Sequence, residues 1–209
     1  DPIVEIVPDD VYGGKVVAVP RGAVRPVLHR QADLDSWRSG HLPATRVLDL
    51  RSWVLPEDAE VVCATRDSYK RAGIAQPQPM PPALAALVRR AAKQPLGTGD
   101  AAKPACDLSA VRTNARAARP ASPPRFWYML PNFSKRHLPH AFAPRIIHGA
   151  PHVYRNADEP ILIDANFSTF WPVDAGWSPG TLTAFLSSVW CRAVMEAVGT
   201  PLGGGALKL

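Results

Sequence analysis

The sequence has 209 residues, of which 46% are hydrophobic and 20% charged, and its 24 Lys and Arg against 18 Asp and Glu give a net charge of +6. This balance is typical of a globular protein and excludes an intrinsically disordered chain. No run of about 18 apolar residues occurs, so the sequence predicts no membrane-spanning helix. The 23 prolines and 14 glycines indicate many turns and long connections.

The beginning of the sequence and its cysteines indicate where the protein works. Asp1 stands where a complete chain would have Met, so we expect a piece of a longer protein. The residues that follow lack the basic and apolar leader of a secretory signal. The three cysteines, Cys63, Cys106 and Cys191, are far apart and odd in number. They argue against a disulfide framework or a zinc ribbon and favour a reducing cytoplasm.

Strand signals dominate the first 66 residues. Short apolar or alternating runs predict strands at 15–19, 24–28, 45–50 and 60–64. Between the second and the third of these, a short helix is predicted over 31–38, because Leu34 and Trp37 are three residues apart and share one face.

Few strand signals occur in the middle of the chain, residues 67–125. The proline-rich segment Gln76–Pro82 is predicted to be extended. A helix is predicted to follow over 83–93, with its apolar residues on one side and Pro82 in its first turn. Residues 96–104 are expected to form a loop, and 108–119 are compatible with another helix that the following prolines end.

The last third has the clearest pattern of elements. Short strands are predicted at 126–130, 145–147, 160–164 and 168–171. A single helix follows, with Ser178 as its N-cap, Pro179 as its first residue and Gly199 after its end. An apolar stripe at helical spacing predicts that this helix is buried in the core. The stripe consists of Leu182, Phe185, Leu186, Val189, Trp190 and Val194.

The positive charge is concentrated in one stretch of the sequence. Residues 108–157 contain eight Arg and Lys, four of the six His and no Asp or Glu. A block of one sign favours a polyanionic partner, and nucleic acid is the commonest one inside cells. A solvated surface or a connector is the alternative. Aromatic residues in the second half of the block, at 126–128 and 133, favour nucleic acid because rings can stack on bases.

Catalytic and metal-binding patterns are weak. The sequence has no Walker loop, no G-x-S-x-G, no H-E-x-x-H and no glycine-rich turn after an early strand. A hydrolytic triad of His148, Asp164 and Ser168 is conceivable, but nothing in their spacing specifies it. Four histidines could hold a metal ion, although no Cys or acid lies among them. These are His137, His140, His148 and His152. The sequence therefore favours a binding module over an enzyme.

Five stretches of the last third occur in an order typical of one family. They are Leu130–Phe133, Ala143–Ile147, Ile163–Phe170, the helix with Leu186-Ser187-Ser188, and Leu202–Lys208. Together with a fainter match at 21–37, they resemble the C-terminal target-recognition region of N6-adenine DNA methyltransferases of restriction-modification and phage-defence systems. Residues 67–125 have no counterpart in this resemblance, and Leu186-Ser187-Ser188 lacks the Asn of the family's Leu-Asn-Ser-Ser.

The resemblance implies a target-recognition domain that reads double-stranded DNA for a catalytic methyltransferase domain of the same parent chain, in a bacterial cytoplasm. The family's Asn-Pro-Pro-aromatic motif and methyl-donor loop do not occur here. We therefore expect no catalytic residue and no cofactor in this chain, and S-adenosylmethionine is implied only for the parent enzyme.

We predict an α+β fold, in which a short-stranded mixed sheet is combined with several helices and long proline-rich loops, similar to a target-recognition domain. Residues 1–66 are expected to be the N-terminal part of the recognition domain and 67–125 an insertion or connector. Residues 126–209 are expected to be the recognition core, with the C-terminal helix and a glycine-rich turn.

The residues expected to contact DNA come from the basic block and from the matched stretches. Lys and Arg neutralise phosphates, glycine-rich turns let backbone N–H groups approach them, and Arg and Asn can contact base edges. For Arg145 and Asn166, an ion pair and a turn-capping amide are the alternatives. For the turn Gly203–Gly205, the alternative is a helix stop with a flexible tail. The expected residues are Arg30, Lys135, Arg136, His137, Arg145, His148, Asn166, Ser168, Gly204 and Lys208.

A protein-interaction domain is the main alternative function. In that hypothesis the proline-rich stretch and the basic face bind an acidic partner.

Overall fold

The computed structural model describes residues 2–7, 15–96, 102–174, 176–202 and 206–208. In these residues the chain combines short helices with several small sheets, which confirms the predicted α+β class. The chain forms two compact units. Unit 1 comprises Asp1–Val24 and Leu48–Pro131, and unit 2 comprises Arg25–Val47 and Asn132–Leu209. None of the described helices is long and apolar enough to cross a membrane.

The helices and strands are short. The helices are α1 (Leu34–Arg38), α2 (Ala59–Ala64), α3 (Arg66–Ala72), α4 (Pro82–Lys93), α5 (Ser109–Asn114), α6 (Pro179–Leu186) and α7 (Val189–Val198). The first eight strands are β1 (Ile3–Ile6), β2 (Val17–Pro20), β3 (Val24–Leu28), β4 (Arg46–Leu48), β5 (Trp53–Val54), β6 (Gln78–Pro79), β7 (Pro95–Leu96) and β8 (Lys103–Pro104). The others are β9 (Ala141–Pro144), β10 (Ile146–His148), β11 (Tyr154–Arg155), β12 (Leu162–Ile163), β13 (Phe167–Phe170), β14 (Thr200–Leu202) and β15 (Ala206–Lys208).

Unit 1 is built around helix α4. Pro82 occupies its first turn, where a missing N–H costs nothing, and Leu84, Leu87 and Val88 enter the core as the spacing predicts. The antiparallel pair β1–β2 packs against this helix. Tyr128 completes the core: its hydroxyl accepts a hydrogen bond from the Leu55 N–H at 3.1 Å and donates one to Asp58 at 2.9 Å. Burial raises the pKa of Tyr128, so it stays a neutral donor.

Two strand predictions in unit 1 are wrong. Residues 60–64 lie in helix α2, where Val62 alone is buried, because a short apolar run does not distinguish a strand from a helix with one inward residue. Residues 126–130 form a turn, with the Met129 N–H donating to the Phe126 carbonyl at 3.0 Å. The turn places Tyr128 and Met129 side by side in the core.

Two further middle-chain predictions are confirmed in part, whereas the loop predicted over 96–104 includes residues of the paired strands β7 and β8. The proline-rich segment is extended, and its residues Gln78–Pro79 pair with β5 in parallel. The helix predicted over 108–119 is confined to α5. Beyond α5 the chain turns back on itself, with Arg116 opposite Arg125 and Ala121 in the left-handed conformation at φ 56°.

In its described residues, unit 2 contains three small sheets with the strand orders β11-β9-β13, β12-β3-β4 and β10-β15-β14. The β12–β3 pair is parallel, whereas β9 pairs with β13, and β10 with β15, in the antiparallel sense. Fully buried Phe142 of β9 is the centre of the core and packs its ring against Trp37, Tyr154 and Phe167. Strand β9 itself was not predicted, since its residues follow directly after a proline-punctuated loop.

The predicted C-terminal helix is two helices. Ser178 caps α6 as expected, because its hydroxyl accepts the Thr181 N–H at 3.0 Å. Ser188 caps a second helix in the same way, since its hydroxyl accepts the Cys191 N–H at 3.3 Å. The helix is therefore interrupted: α6 ends at Leu186 and α7 begins at Val189. The Ser188 hydroxyl, which binds a backbone N–H of the following turn, explains the break.

The prediction that this segment is a core helix is wrong. Trp190 is 84% exposed, Val189 is 77% exposed, and Phe185 and Val194 also face solvent. Only Leu182 of α6 and Met195 of α7 are buried. The periodic stripe therefore marks an apolar face that the described residues do not cover.

Gly199 follows α7 for a reason of space. It has an extended conformation, φ −65° and ψ 145°, and so does not act as a left-handed helix stop. A Cβ atom at this position would lie 2.5 Å from the Leu207 Cγ atom on β15. The glycine lets the hairpin β14–β15 fold back close to the end of the helix.

Candidate nucleic-acid interface

The candidate site begins where two parallel strands end. Val27 is opposite Leu162, and Leu28 is opposite Ile163, so the next residues, His29 and Asp164, emerge side by side. The Asp164 N–H donates to the Leu28 carbonyl at 3.1 Å, which continues this register. Parallel strands bring polar residues from distant parts of a chain to one edge of a sheet.

The Asp164 carboxylate is the centre of a hydrogen-bond network. It accepts hydrogen bonds from His29 Nδ1, from the Ala165 N–H at 2.5 Å and from Asn166 Nδ2 at 3.4 Å. Asn166 Nδ2 also donates to the His29 carbonyl at 3.0 Å. The network ties the end of β3 to the turn between β12 and β13.

Arg145 is attached to the same turn. Its backbone N–H donates to the Asn166 carbonyl at 3.1 Å, and its guanidinium Nη1 donates to the Ala165 carbonyl at 3.2 Å. A guanidinium has five N–H donors, so most of them remain for another acceptor. The Arg145 side chain is thus oriented by the fold and still exposed.

The hairpin β14–β15 supplies the last positive charge. Lys208 on β15 is opposite Ile146 on β10. The Ile146 carbonyl accepts a hydrogen bond from Gln31 Nε2 at 2.8 Å, which links this sheet to the turn that follows β3. Strand pairing therefore brings the end of the sequence to the residues around position 30.

These elements form the walls of an open cleft with a volume of about 360 Å³. Its lining consists of His29, Arg30, Gln31, Arg145, Ile146, Ala165, Asn166 and Lys208. Three permanent positive charges line it, on Arg30, Arg145 and Lys208. The carboxylate nearest to them in the network, Asp164, is already hydrogen-bonded by three groups. The cleft therefore offers cationic donors to an anion such as a phosphate.

Four of the sequence-predicted residues meet in this cleft, namely Arg30, Arg145, Asn166 and Lys208. Asn166 uses its amide nitrogen for His29 and Asp164, so the turn-capping role is the one it performs here. Its Oδ1 atom is the group that can face a ligand. A bidentate contact to adenine would require this amide to leave its present partners.

The other predicted residues do not line the cleft. Lys135 and Arg136 are exposed on a turn, and His137 holds that turn by accepting the Ser134 N–H at its Nδ1 atom at 3.0 Å. His148 is exposed at the end of β10, and Ser168 is half-buried on β13. Gly204 lies outside the described residues, as does the turn predicted around it.

Two polar cleft residues, His29 and Gln31, were missed by sequence reasoning. Both follow the strand predicted at 24–28, and Asp164 ends the strand predicted at 160–164. Polar residues directly after two apolar strands were an available signal, but it becomes informative only when the two strands are known to be parallel neighbours.

The structure does not pair Asp164 with His148, as the conceivable triad of His148, Asp164 and Ser168 would require. The Asp164 carboxylate binds His29, while His148 lies on β10 opposite Ala206. In the described part of the chain, no three His, Cys, Asp or Glu side chains come together as metal ligands.

No family model matches the sequence, and comparisons with curated proteins and with solved structures likewise find no match.

Proposed function

We propose that this chain is a DNA-reading domain and that duplex DNA binds along the cleft of unit 2. The observation that supports this function is the convergence of four residues chosen from sequence alone. They come from three separate parts of the chain, at position 30, at 145–166 and at 208, and they line one cationic cleft.

In this proposal the cleft residues have different tasks. Lys208 and Arg30 contact phosphates, which set the register of the protein on the duplex and make the affinity salt-dependent. Arg145 is the candidate for reading a base, since its anchored guanidinium retains donors in the planar arrangement that matches a guanine edge. Asn166 holds the network together and offers only its carbonyl oxygen to the DNA.

The finer proposal is that the domain positions DNA for methylation of adenine N6 by a catalytic domain of the parent chain. Its support is the ordered resemblance, whose matched stretches contain β13 and β15 of unit 2 and overlap β9, β10 and β12 in part. Adenine would then leave the duplex for a pocket in that catalytic domain, where S-adenosylmethionine would be bound.

The proposal is tested by measuring duplex affinity against salt by fluorescence anisotropy. We expect the Lys208→Ala variant to bind about tenfold more weakly near 0.1 M salt and to reduce the slope of log K against log salt by about one unit. Lys70→Ala, which removes an exposed lysine of α3 in unit 1, is the matched control and should change neither quantity. An affinity independent of salt would overturn the proposal.

Base reading is tested by selecting bound duplexes from a random pool. The Arg145→Lys variant keeps the charge but loses the planar fork, so it should retain affinity and relax the selected sequence at one position. Arg145→Ala should lose both affinity and selectivity. An unchanged selected sequence in both variants would remove Arg145 from the reading role.

The acidic-partner alternative involves the basic face and the exposed residues of the proline-rich stretch, Gln76, Gln78 and Pro79. The proline-rich stretch is part of the fold of unit 1, with Pro77 and Met80 buried and β6 paired to β5. A competition assay between duplex DNA and an acidic polypeptide at moderate salt separates the two functions.

A further inference from the structure

The side chain of His29 has an unusual position in the cleft. Its Nδ1 atom is hydrogen-bonded to the Asp164 carboxylate, and the side chain is 47% exposed to the cleft and solvent. Within the described chain, Nε2 of this ring has no hydrogen-bond partner among the observed contacts. One ring nitrogen is therefore fixed by the protein, and the other is available to a ligand.

From this geometry we infer that His29 is a further DNA contact, which donates a hydrogen bond from Nε2 to a phosphodiester oxygen, and that Asp164 is the residue that positions it. The inference rests on the proposed DNA-binding function and adds a contact whose charge depends on pH. His29 was not among the residues that the sequence predicted to contact DNA.

The proton positions follow from the partners. With Nδ1–H donating to Asp164, a neutral ring has a lone pair at Nε2 and can only accept there. A phosphodiester oxygen also only accepts, so the contact forms when the ring carries a second proton and Nε2–H becomes a donor. The hydrogen bond to the phosphodiester oxygen therefore requires the doubly protonated, positively charged ring.

Charged groups of both signs lie around the ring. Asp164 stabilises the charged imidazolium, whereas Arg30, Arg145 and Lys208 line the same cleft and oppose it. Asp33, the nearest other acid on the same segment, accepts the Arg30 backbone N–H at 3.2 Å. A phosphate in the cleft offsets the repulsion from the three cations and favours the charged ring.

A purely structural link between β3 and β12 is the competing explanation for the pair. The main chain already makes that link, through the Asp164 N–H to the Leu28 carbonyl and the amide of Asn166 to the His29 carbonyl. The hydrogen bond between the two side chains adds to a connection that exists without it, which leaves a ligand-directed role for the imidazole.

The experiment measures the salt slope of duplex binding at pH 6 and at pH 8, on either side of the range where histidines ordinarily change charge. For the unmodified chain we expect the slope at pH 6 to be steeper by about 0.9, the value of one added phosphate contact on duplex DNA. The His29→Gln variant should have the same slope at both pH values.

Two variants separate positioning from general damage. His152→Gln removes an exposed histidine of unit 2 outside the cleft and should keep the full difference between pH 6 and pH 8. Asp164→Asn keeps an acceptor for the Ala165 N–H but removes the carboxylate, so it should abolish that difference while thermal unfolding remains cooperative. A pH difference that survives in both His29→Gln and Asp164→Asn would overturn the inference.

A measurement without DNA distinguishes failure of the His29–Asp164 inference from failure of the proposed DNA-binding function. Proton NMR of the free protein should show a strongly downfield Nδ1–H signal from a histidine bound to a carboxylate, lost in His29→Gln and in Asp164→Asn. Absence of that signal overturns the positioning role while salt-dependent DNA binding can stand. Absence of DNA binding at both pH 6 and pH 8 overturns the proposed function and with it the DNA contact of His29.

Discussion

Helices α4 and α7 have similar patterns and opposite surroundings. Both carry apolar residues at helical spacing, and the C-terminal helix was expected to be buried in the core. In α4 the apolar side is covered, with Leu84 fully buried and Val88 nearly so. In α7 the apolar side is exposed, and only Met195 enters the core.

The difference lies in what packs against each helix. Helix α4 receives β2 on one side, and the turn with Tyr128 and Met129 closes the same core. Helix α7 is held at its end by the close approach of Leu207 to Gly199. Helical periodicity therefore identifies an apolar face, and only long-range contacts decide whether that face is covered.

The largest expected effect on the free energy of unfolding comes from shortening a core side chain of α4. Leu84→Ala removes a fully buried side chain and leaves a cavity, so we expect the free energy of unfolding to fall by about 2–5 kcal/mol. Urea unfolding followed by circular dichroism measures it. A loss below about 1 kcal/mol would mean that α4 is no better covered than α7.

A smaller effect is expected at the end of α7. Gly199→Ala places a Cβ atom against the Leu207 side chain, and such overpacking costs about 1–3 kcal/mol. Hydrogen exchange should increase in β14 and β15. Gly180→Ala is the control, because its Cβ atom would meet only the Ser178 hydroxyl at 3.8 Å, and an equal loss there would contradict the steric explanation.

The exposed face of α7 should tolerate polar residues. Because Trp190 is mostly exposed, Trp190→Ser should change the free energy of unfolding by no more than about 0.5 kcal/mol. The same urea titration as for Leu84→Ala measures this. A loss comparable to that of Leu84→Ala would show that the face is covered in solution.

The smallest effect concerns an ion pair on the outer side of α4. Arg89 of α4 donates two hydrogen bonds to Glu57, and these hold the pKa of Glu57 at about 2, below its ordinary 4.5. The stabilisation is therefore fully present above pH 4.5 and is lost as the pH falls through 2. Because both groups are exposed, the effect is small and screened by salt.

The variant Glu57→Gln tests this pair. Its Tm should lie slightly below that of the unmodified chain at pH 6, and the gap should close as the pH approaches 2. Asp58 works in the opposite sense, since burial raises its pKa and its contribution declines as the pH rises. A gap that widens in acid would contradict the assignment.

Local elements were largely predictable from the sequence. The strand at 24–28 and the Ser178 cap are confirmed as predicted, and α4 starts one residue before its predicted beginning. These features depend on spacing, on a proline in a first turn and on a capping hydroxyl, all of which are local.

The cleft could be predicted only in part. Cationic residues are recognisable in a sequence, and three of those expected to contact DNA, Arg30, Arg145 and Lys208, line one cleft together with Asn166. His29 was missed because its partner Asp164 lies 135 residues away, and nothing local reveals that β3 and β12 are parallel neighbours. Asn166 shows the same limit, since its amide nitrogen is occupied by His29, a residue from the distant strand.

The interleaved path of the chain has a consequence for biosynthesis. The chain passes between the units after residues 24, 47 and 131, so all residues of unit 1 have been made when the ribosome reaches Pro131. Strand β3 can pair with β12 only after residues 162–163 have been made, and the cleft is complete only after Lys208 has been made. An incomplete chain therefore has no finished cleft, and a premature stop anywhere before Lys208 yields a protein without its full set of cations.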